Sequence, residues 1–204
     1  IAGKGTAWFA KCPEQSELQI LGVLGNGYPL AEADGKKALL LGGGIGIPPL
    51  LELAHALQGS AAEITIGLGY RDHQLFLKED FAPLGQLLLA TEDGSAYTKG
   101  NVLDAVREAE ENSKLKPDVI FACGPMPMLR AIKRYAAQRQ IPAWLSMEER
   151  MACGVGACLG CVCRTTKKDA HSQVYNARIC TEGPVFPAED VAILPEDTEG
   201  GNAH

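Results

Sequence analysis

Lys37-Ala-Leu-Leu-Leu-Gly-Gly-Gly-Ile-Gly-Ile-Pro-Pro49 is the stretch of this 204-residue chain that decides its fold. The apolar run predicts a buried strand, and the glycines predict a tight turn into a helix that begins near the prolines. Glycines at such a junction let backbone N–H groups approach a phosphate at the positive end of the helix. A tight turn alone would also explain the pattern, which differs from the common Gly-x-Gly-x-x-Gly fingerprint. The candidate nucleotide-binding residues here are Gly43, Gly44, Gly46 and Pro48.

The alternation of strand and helix continues toward the C-terminus. Further strands are predicted at residues 64–68, 86–91, 118–122 and 143–147, with helical stretches between them. Strands separated by helices of this size predict an α/β fold with a parallel, helix-flanked sheet. We therefore assign residues 35–147 to a nucleotide-binding domain.

A second glycine-bearing junction, Cys123-Gly-Pro125, follows the strand predicted at 118–122. Parallel sheets bind ligands outside the carboxyl ends of their strands, so the two junctions are expected to border one crevice. Cys123, Gly124 and Pro125 therefore join the candidate nucleotide-binding residues, with Cys123 in a packing or positioning role. The segments 69–71 and 91–94 end the intervening strands at the same edge, where adenosine contacts are expected.

A run of cysteines follows the predicted sheet. Cys153, Cys158 and Cys161 have the spacing Cys-x4-Cys-x2-Cys, and Cys180 lies further along the chain. This is the spacing of plant-type [2Fe–2S] ligands. Glycines between the cysteines permit positive φ angles and allow backbone N–H groups to approach the sulfurs. The run therefore predicts an iron–sulfur module.

Two alternatives to an iron–sulfur site remain. A structural zinc site would usually have paired Cys-x2-Cys knuckles, and the cysteines could otherwise be free or disulfide-bonded. Cys163 is the alternative ligand. Alternation along a strand would place its side chain on the same face as that of Cys161, which predicts a buried or supporting thiol.

Composition limits the classes of function. The net charge is −6 and the sequence has no basic run, which argues against nucleic-acid binding. No apolar stretch reaches membrane-spanning length, so no membrane insertion is expected. Seven cysteines without a secretory signal suit a reducing compartment and predict a cytoplasmic location. The chain begins with Ile1, so we expect the native protein to be longer at its N-terminus.

The two junctions and the cysteine run resemble a known family. The Gly-Gly-Gly-Ile-Gly-x-x-Pro turn and the Cys-Gly-Pro junction are similar to the pyridine-nucleotide domain of the ferredoxin reductase superfamily. The stretch from Glu148 to Cys163, with Cys180-Thr-Glu-Gly-Pro-Val-Phe186, is similar to the electron-transfer subunits of type B dihydroorotate dehydrogenases. This resemblance covers essentially the whole chain, and the cysteine run is its most specific part.

The resemblance implies a subunit with FAD and one [2Fe–2S] cluster. Electrons would pass from the FMN of a catalytic partner, which oxidises dihydroorotate to orotate in pyrimidine synthesis, through the cluster and FAD to NAD⁺. It implies a two-plus-two heterotetramer and no general acid or base in this chain. Gly5 and Thr6 would contact the flavin phosphate, and Leu24-Gly-Asn-Gly-Tyr28 would link a flavin barrel to the nucleotide domain. The implied cluster ligands are Cys153, Cys158, Cys161 and Cys180.

Two features depart from the family pattern. No Arg-Pro-x-Ser flavin motif occurs, so residues 1–34 are interpreted as the last strands of a truncated flavin β-barrel, and residues 148–204 as the cluster module and tail. A glycine expected near Tyr97 is also missing. The alternatives are another NAD(P)H-dependent flavin and iron–sulfur reductase of the superfamily, or a non-catalytic scaffold with a four-cysteine zinc site.

Overall fold

A computed structural model describes residues 3–112, 115–169, 173–195 and 197. Its centre is a seven-stranded sheet in the order β4-β3-β2-β1-β5-β6-β9. Strands β1 to β6 are parallel to their neighbours, and β9 is antiparallel to β6. The predicted parallel sheet is therefore confirmed. The strands are β1 (Lys37–Gly43), β2 (Glu63–Tyr70), β3 (Gln86–Thr91), β4 (Thr98–Lys99), β5 (Val119–Cys123), β6 (Ala143–Ser146), β7 (Val162–Arg164), β8 (Asn176–Arg178) and β9 (Val185–Pro187).

Strand β1 lies at the middle of the sheet, and its residues from Ala38 onward are buried. Leu40 pairs with a residue of β2 on one side and of β5 on the other. Leu39 and Leu41 belong to one apolar core, and Leu40 belongs to a second core on the opposite face. A continuous apolar run is what a strand covered on both faces requires.

Helices cover both faces of the sheet. One core contains α2 and α3, and the other contains α4 and α5. None of the helices among the described residues combines the length and the apolarity needed to cross a bilayer. The helices are α1 (Gly3–Phe9), α2 (Ile47–Ala56), α3 (Lys78–Phe81), α4 (Val102–Glu111), α5 (Met126–Arg139) and α6 (Ile179–Glu182).

The cysteine segment packs on the same face as α5. It forms the antiparallel hairpin β7–β8, the single turn α6, and then β9, which joins the edge of the main sheet. Cys161, Cys163 and Ile179 belong to the core that contains Leu129 of α5. The boundary predicted at 147/148 therefore separates two segments that share one sheet and one core. Most of the tail predicted at 195–204 lies outside the described residues.

The N-terminal prediction of strands is wrong. Residues 3–9 form helix α1, and the described residues 10–29 contain no strand. The sheet-like contacts of this region are two isolated bridges, Asn26 to Pro184 and Asp34 to Ala61. A strand is stable only beside other strands, and no named strand pairs with residues 3–29. Local helix formation therefore prevails in a segment without a pairing partner.

Candidate functional site

The two glycine-bearing junctions, which were predicted to border one crevice, lie in direct contact. A Cβ placed on Gly46 would collide with the carbonyl group of Cys123, and one on Gly124 would lie 3.3 Å from the backbone nitrogen of Gly43. Pro48 is the second residue of α2, which begins at Ile47. Only residues without a side chain allow the two backbones to approach so closely.

A cavity of about 420 Å³ opens at the carboxyl ends of the strands. Gly43, Gly44 and Pro125 line it, as predicted, and Gly44 has a φ of +55° with open space beside its Cα. The N-terminal end of α4 also points at this cavity. The other lining residues include Tyr70, Arg71, Glu92, Asn101 and Met128.

Sequence reasoning missed Asn101. Its side chain accepts a hydrogen bond from the backbone N–H of Leu103 at 2.9 Å, and Asp104 accepts one from the N–H of Asn101 at 2.8 Å. This is a capping box, and an Asn followed three residues later by an acidic residue before an apolar helix could have indicated it. The reciprocal bonds fix the start of α4 at the wall of the cavity.

The rim of this cavity carries opposite charges. Arg71 follows β2 and Glu92 follows β3, and both side chains are exposed. The backbone N–H of Glu92 donates to the carbonyl of Tyr70, and that of Asp93 donates to the carbonyl of Arg71. These bonds extend the pairing of β2 with β3 past the ends of the strands. They hold the two charged side chains on adjacent segments at the mouth of the cavity.

A smaller cavity of about 230 Å³ adjoins the first one and reaches the cysteine segment. Gly46, Cys123 and Gly124 line it on one side, and Glu148 and Pro184 line it on the other. It therefore lies between the nucleotide-binding junctions and the cysteine loop.

Cys123 is a neutral thiol in this cavity. Burial raises its pKa, and its side chain lies within hydrogen-bond range of Ser146 and Tyr28. Burial also raises the pKa of Tyr28, whose hydroxyl donates to the carbonyl of Ala122 at 2.8 Å. A thiol with a raised pKa is a poor nucleophile, so the environment suits packing or positioning.

The cysteines predicted as ligands come together as two pairs. The thiols of Cys153 and Cys158 lie within hydrogen-bond range of each other, and so do those of Cys161 and Cys180. Among the described residues, no three His, Cys, Asp or Glu side chains surround one point as a single metal ion requires. A [2Fe–2S] cluster takes two thiolates on each of two irons, so its donor set is two such pairs.

Backbone N–H groups point at these sulfurs. Val155 and Cys158 donate to the Cys153 sulfur at 3.5 and 3.4 Å, and Gly156 donates to the Cys180 sulfur at 3.2 Å. The N–H groups of Val155 and Cys158 lower the pKa of the Cys153 thiol to about 6. Burial raises the pKa of Cys180, and its contact with Cys161 adds to this rise. Donors directed at sulfur favour thiolates, so these residues fit an iron–sulfur cluster.

Arg178 and Glu182 brace the loop around Cys180. The Glu182 carboxylate accepts hydrogen bonds from the Arg178 backbone at 2.9 Å and from its Nε at 2.8 Å. Nη1 of Arg178 also lies 3.5 Å from the carbonyl of Gly156, the residue whose N–H donates to Cys180. This pair therefore joins the two loops that carry the cysteines.

Cys163 lies apart from the two pairs of thiols. Cys163 is buried on β7, whereas the side chain of its neighbour Val162 is only partly buried, as strand alternation predicted. Burial raises the pKa of Cys163 to about 11. The groups within hydrogen-bond range of the Cys163 thiol are its own backbone and the backbone of Ala177. A supporting thiol in the core fits this position better than a ligand.

Gly5 and Thr6 do not form a phosphate cradle. Both are exposed on α1, and nothing lies within 4 Å of a Cβ placed on Gly5. The hydroxyl of Thr6 donates to the carbonyl of Gly3 at 3.3 Å. Gly5 and Thr6 therefore line neither the larger nor the smaller cavity. In this position the two residues do not fit a flavin phosphate.

Comparison with known proteins agrees with this arrangement. Residues 40–134 match the oxidoreductase NAD-binding domain, and residues 148–192 match the iron–sulfur cluster binding domain of dihydroorotate dehydrogenase B. Fold and site thus define an electron-transfer oxidoreductase component with an NAD-binding and an iron–sulfur domain. The chain belongs to the family of dihydroorotate dehydrogenase B electron transfer subunits.

Similarity to curated relatives supports the family assignment. The dihydroorotate dehydrogenase B (NAD(+)) electron transfer subunit of Bacillus caldolyticus is 44% identical over 94% of this chain and 71% of its own length. That of Fusobacterium nucleatum is 38% identical over 95% of this chain and 72% of its own length. A solved NADH-dependent reduced ferredoxin-NADP oxidoreductase superposes with a TM-score of 0.79 at 28% identity. The superposition covers 98% of this chain and 72% of the oxidoreductase chain.

Proposed function

We propose that this chain is the electron-transfer subunit of an NAD-linked dihydroorotate dehydrogenase in pyrimidine biosynthesis. Electrons released when dihydroorotate is oxidised to orotate on a partner subunit reach NAD⁺ through this chain. The observation that carries the proposal is the adjacency of a four-thiol site and an NAD-binding crevice, with one small cavity between them. The cofactors are one [2Fe–2S] cluster and FAD, and NAD is the nucleotide substrate.

Two thiol pairs are the proposed cluster ligands. Cys153 and Cys158 hold one iron, and Cys161 and Cys180 hold the other, because each pair already lies in mutual contact. The bound cluster supplies single-electron transfer. The chain's own contribution is to direct N–H groups at the sulfurs and to bury Cys161 and Cys180, which are 2% and 1% exposed. Both effects tune how readily the site accepts an electron.

The larger cavity is the proposed NAD site. Gly43 and Gly44 bring backbone N–H groups to the pyrophosphate at the start of α2. Glu92 accepts hydrogen bonds from the adenosine ribose, where its charge would also repel a 2′-phosphate. The nicotinamide end extends toward Gly46, Cys123 and Gly124 in the smaller cavity. These residues bind and orient the nucleotide, and none is assigned as a general acid or base.

The partner is proposed to be an FMN-containing catalytic subunit in a two-plus-two heterotetramer. Its docking surface is the apolar patch around the exposed Cys158, formed by Met151, Val155 and Leu159, which are 49%, 57% and 63% exposed. Short separation between cofactors favours electron transfer, so the partner would cover the cysteines that lie nearest to solvent. The relatives are described as electron transfer subunits, which supports a catalytic partner.

The binding of FAD and the flavin domain on the N-terminal side are proposed from the family resemblance. Gly5 and Thr6 are exposed on α1 and do not fit a flavin phosphate there. The described residues 3–29 contain no barrel strand, so the support in this chain for a flavin domain is Leu24-Gly-Asn-Gly-Tyr28, which matches the family's link to the nucleotide domain. The domain boundaries between residues 34 and 35 and between residues 147 and 148 stay predictions. The cytoplasmic location is also a prediction.

A related reductase activity is the second candidate. The structural likeness to an NADH-dependent reduced ferredoxin-NADP oxidoreductase favours it. The higher identity of 44% to a dihydroorotate dehydrogenase B subunit favours the first proposal. The two differ in the electron donor, which an assay can distinguish directly.

The test begins with the purified, iron- and sulfide-reconstituted chain under anaerobic conditions. About two irons and two sulfides per chain are expected, with visible absorption bands. A zinc-loaded, colourless chain would overturn the electron-transfer proposal. With the FMN subunit and FAD added, dihydroorotate should support NAD⁺ reduction, because a flavin must convert the single electrons of the cluster into a hydride. If only reduced ferredoxin supports it, the second candidate replaces the first.

A further inference from the structure

The loop that follows Cys180 connects the cysteine site with the smaller cavity. Helix α6 carries Cys180 and ends at Glu182, and two residues later Pro184 lines the cavity that Gly46 and Cys123 also line. Only three residues (181–183) therefore separate a proposed cluster ligand from the wall of the proposed nicotinamide site. The position of this loop therefore sets the distance between Cys180 and the smaller cavity.

Asn26 holds this loop from the outside. Its backbone N–H donates to the carbonyl of Gly183 at 2.6 Å, and its Nδ2 donates to the carbonyl of Glu182 at 3.2 Å. Its Oδ1 accepts a hydrogen bond from the N–H of Val185 at 3.3 Å. One residue thus satisfies two acceptors and one donor of the same short loop.

The segment around Asn26 is itself fixed. Gly25 has a φ of +65°, and a Cβ placed on it would collide with the carbonyl of Gly183. Two residues beyond Asn26, the Tyr28 hydroxyl donates to the carbonyl of Ala122 at the end of β5. The close approach needs glycine, and the tyrosine ties the segment to the sheet.

The other side of the loop is tied to the sheet as well. The N–H of Met147 donates to the carbonyl of Pro184 at 2.8 Å, and Val185 begins β9, which pairs with β6. The loop is thus clamped between the end of β6 and Asn26. Without the Asn26 side chain, Glu182 and Val185 would lose their side-chain partner, and the backbone bond from Asn26 to Gly183 would remain on this side of the loop.

We infer that Asn26 is a positioning residue for the iron–sulfur site and acts through the loop that carries Cys180. The inference rests on the proposed function, because it takes Cys180 as a cluster ligand. Asn26 holds the segment that follows Cys180. It thereby helps to position the Cys180 sulfur, which accepts from the N–H of Gly156 at 3.2 Å, and the Cys180 N–H, which approaches the Cys161 sulfur at 3.4 Å. Small shifts of such donors change the reduction potential of a cluster.

The experiment compares Asn26→Ala with Asn112→Ala in the full, reconstituted chain. Both remove an exposed amide that donates to a backbone carbonyl, but Asn112 donates to Glu108 on α4, outside the cysteine segment. Iron and sulfide content is measured first. Two readouts follow: the rate at which a strong chelator bleaches the visible absorption, and the midpoint potential from an EPR-monitored redox titration.

Asn26→Ala is expected to retain the cluster but to lose iron about fivefold faster, as the loss of about one net hydrogen bond predicts. Its midpoint potential should shift, whereas Asn112→Ala should match the wild type in both readouts. Gly25→Ala, which displaces the same loop without removing the side chain, should act in the same direction. Equal values for the Asn26 and Asn112 variants would overturn the inference. A wild-type chain without a two-iron cluster would instead overturn the proposed function on which it rests.

Discussion

Individual cysteines in this chain have separate environments. Cys153 and Cys158 form one contacting pair, and Cys161 and Cys180 form another, while Cys163 lies in the core with a raised pKa. Each paired sulfur has another thiol beside it, whereas the neighbours of the Cys163 thiol are backbone groups of Cys163 and Ala177. The distinction between a ligand and a packing thiol therefore rests on a neighbouring thiol.

Replacing these thiols separates the two roles. Cys180→Ala should lower the iron content below about two per chain and abolish the visible absorption, because one iron loses a thiolate. Cys163→Ala should retain the cluster and its EPR signal, with a modest loss of about 1 kcal/mol in unfolding free energy from the small cavity created. Iron analysis, EPR and urea unfolding measure these outcomes. Loss of the cluster in Cys163→Ala would identify Cys163 as the alternative ligand.

At the residue scale, the charge of Glu92 at the rim of the larger cavity is proposed to set the preference between NADH and NADPH. Glu92→Gln should lower the preference for NADH over NADPH by about tenfold, because a carboxylate facing the 2′-phosphate is removed. The matched control is Asp93→Asn, since the Asp93 side chain accepts a hydrogen bond from Ser95 at 2.9 Å and does not line the cavity. Fluorescence titration with both nucleotides gives the ratio of dissociation constants. An unchanged ratio in Glu92→Gln would place the ribose elsewhere.

At the element scale, helix α5 ends in a left-handed residue that is not glycine. Gln140 has φ 56° and ψ 38°, and the N–H of the next residue, Ile141, donates to the carbonyl of Ala136 at 3.0 Å. This is the hydrogen bond of a Schellman ending, where glycine is strongly preferred. The sequence therefore keeps a strained residue at this end.

Gln140→Gly should raise the free energy of unfolding by about 0.5–1 kcal/mol, because glycine adopts positive φ without a steric cost. Gln140→Ala is the matched control. It removes the same exposed side chain but keeps a Cβ, so it should give no gain. Urea unfolding of both variants measures the difference, and equal stability of the two would contradict the assignment of strain.

Other elements differ from the predicted pattern for local reasons. The helical stretch predicted between the strands at 64–68 and 86–91 is only the single turn Lys78–Phe81. Asp72 accepts a hydrogen bond from the N–H of Gln74, and the Tyr70 hydroxyl donates to the carbonyl of Phe76. These bonds stabilise a loop in place of a first helical turn. Tyr97 has a φ of +57°, so the chain adopts a left-handed residue where a glycine was expected.

At the scale of the whole molecule, a buried lysine joins α5 to the end of the cysteine segment. Lys133 is 7% exposed, and its Nζ donates to the carbonyl of Val191 at 2.6 Å and to Asp197 at 2.7 Å. The Nε of Arg130 donates to the carbonyl of Ile193 at 2.8 Å on the same side. These contacts attach the iron–sulfur segment to a helix of the NAD domain.

Lys133→Met should lower the free energy of unfolding by about 2–3 kcal/mol, because it leaves a partly buried Asp197 and a carbonyl without this donor. The control is Lys36→Met, whose ion pair with Glu32 is exposed and should contribute less than about 1 kcal/mol. Thermal unfolding of both variants tests the difference. Equal losses would show that the Lys133 contacts add nothing beyond a surface ion pair.

Local sequence determined much of the architecture. The apolar run before Gly42 predicted a buried strand, and a helical stretch was predicted between the strands at 86–91 and 118–122, where the structure has α4 at Val102–Glu111. The spacing of Cys153, Cys158 and Cys161 predicted the type of site, and the family comparison supports it. Such features are visible in sequence because they depend on neighbouring residues, on backbone sterics and on burial at fixed periods.

Tertiary structure decided the features that depend on distant partners. Strand β9 has three residues and forms only because the edge of β6 is available, and residues 3–29 form no strand because none lies beside them. The contacts of Lys133 with Asp197 and of Asn26 with Gly183 join positions far apart in sequence. No local pattern encodes such contacts, because their free energy arises only after the whole chain has packed and the groups have left water.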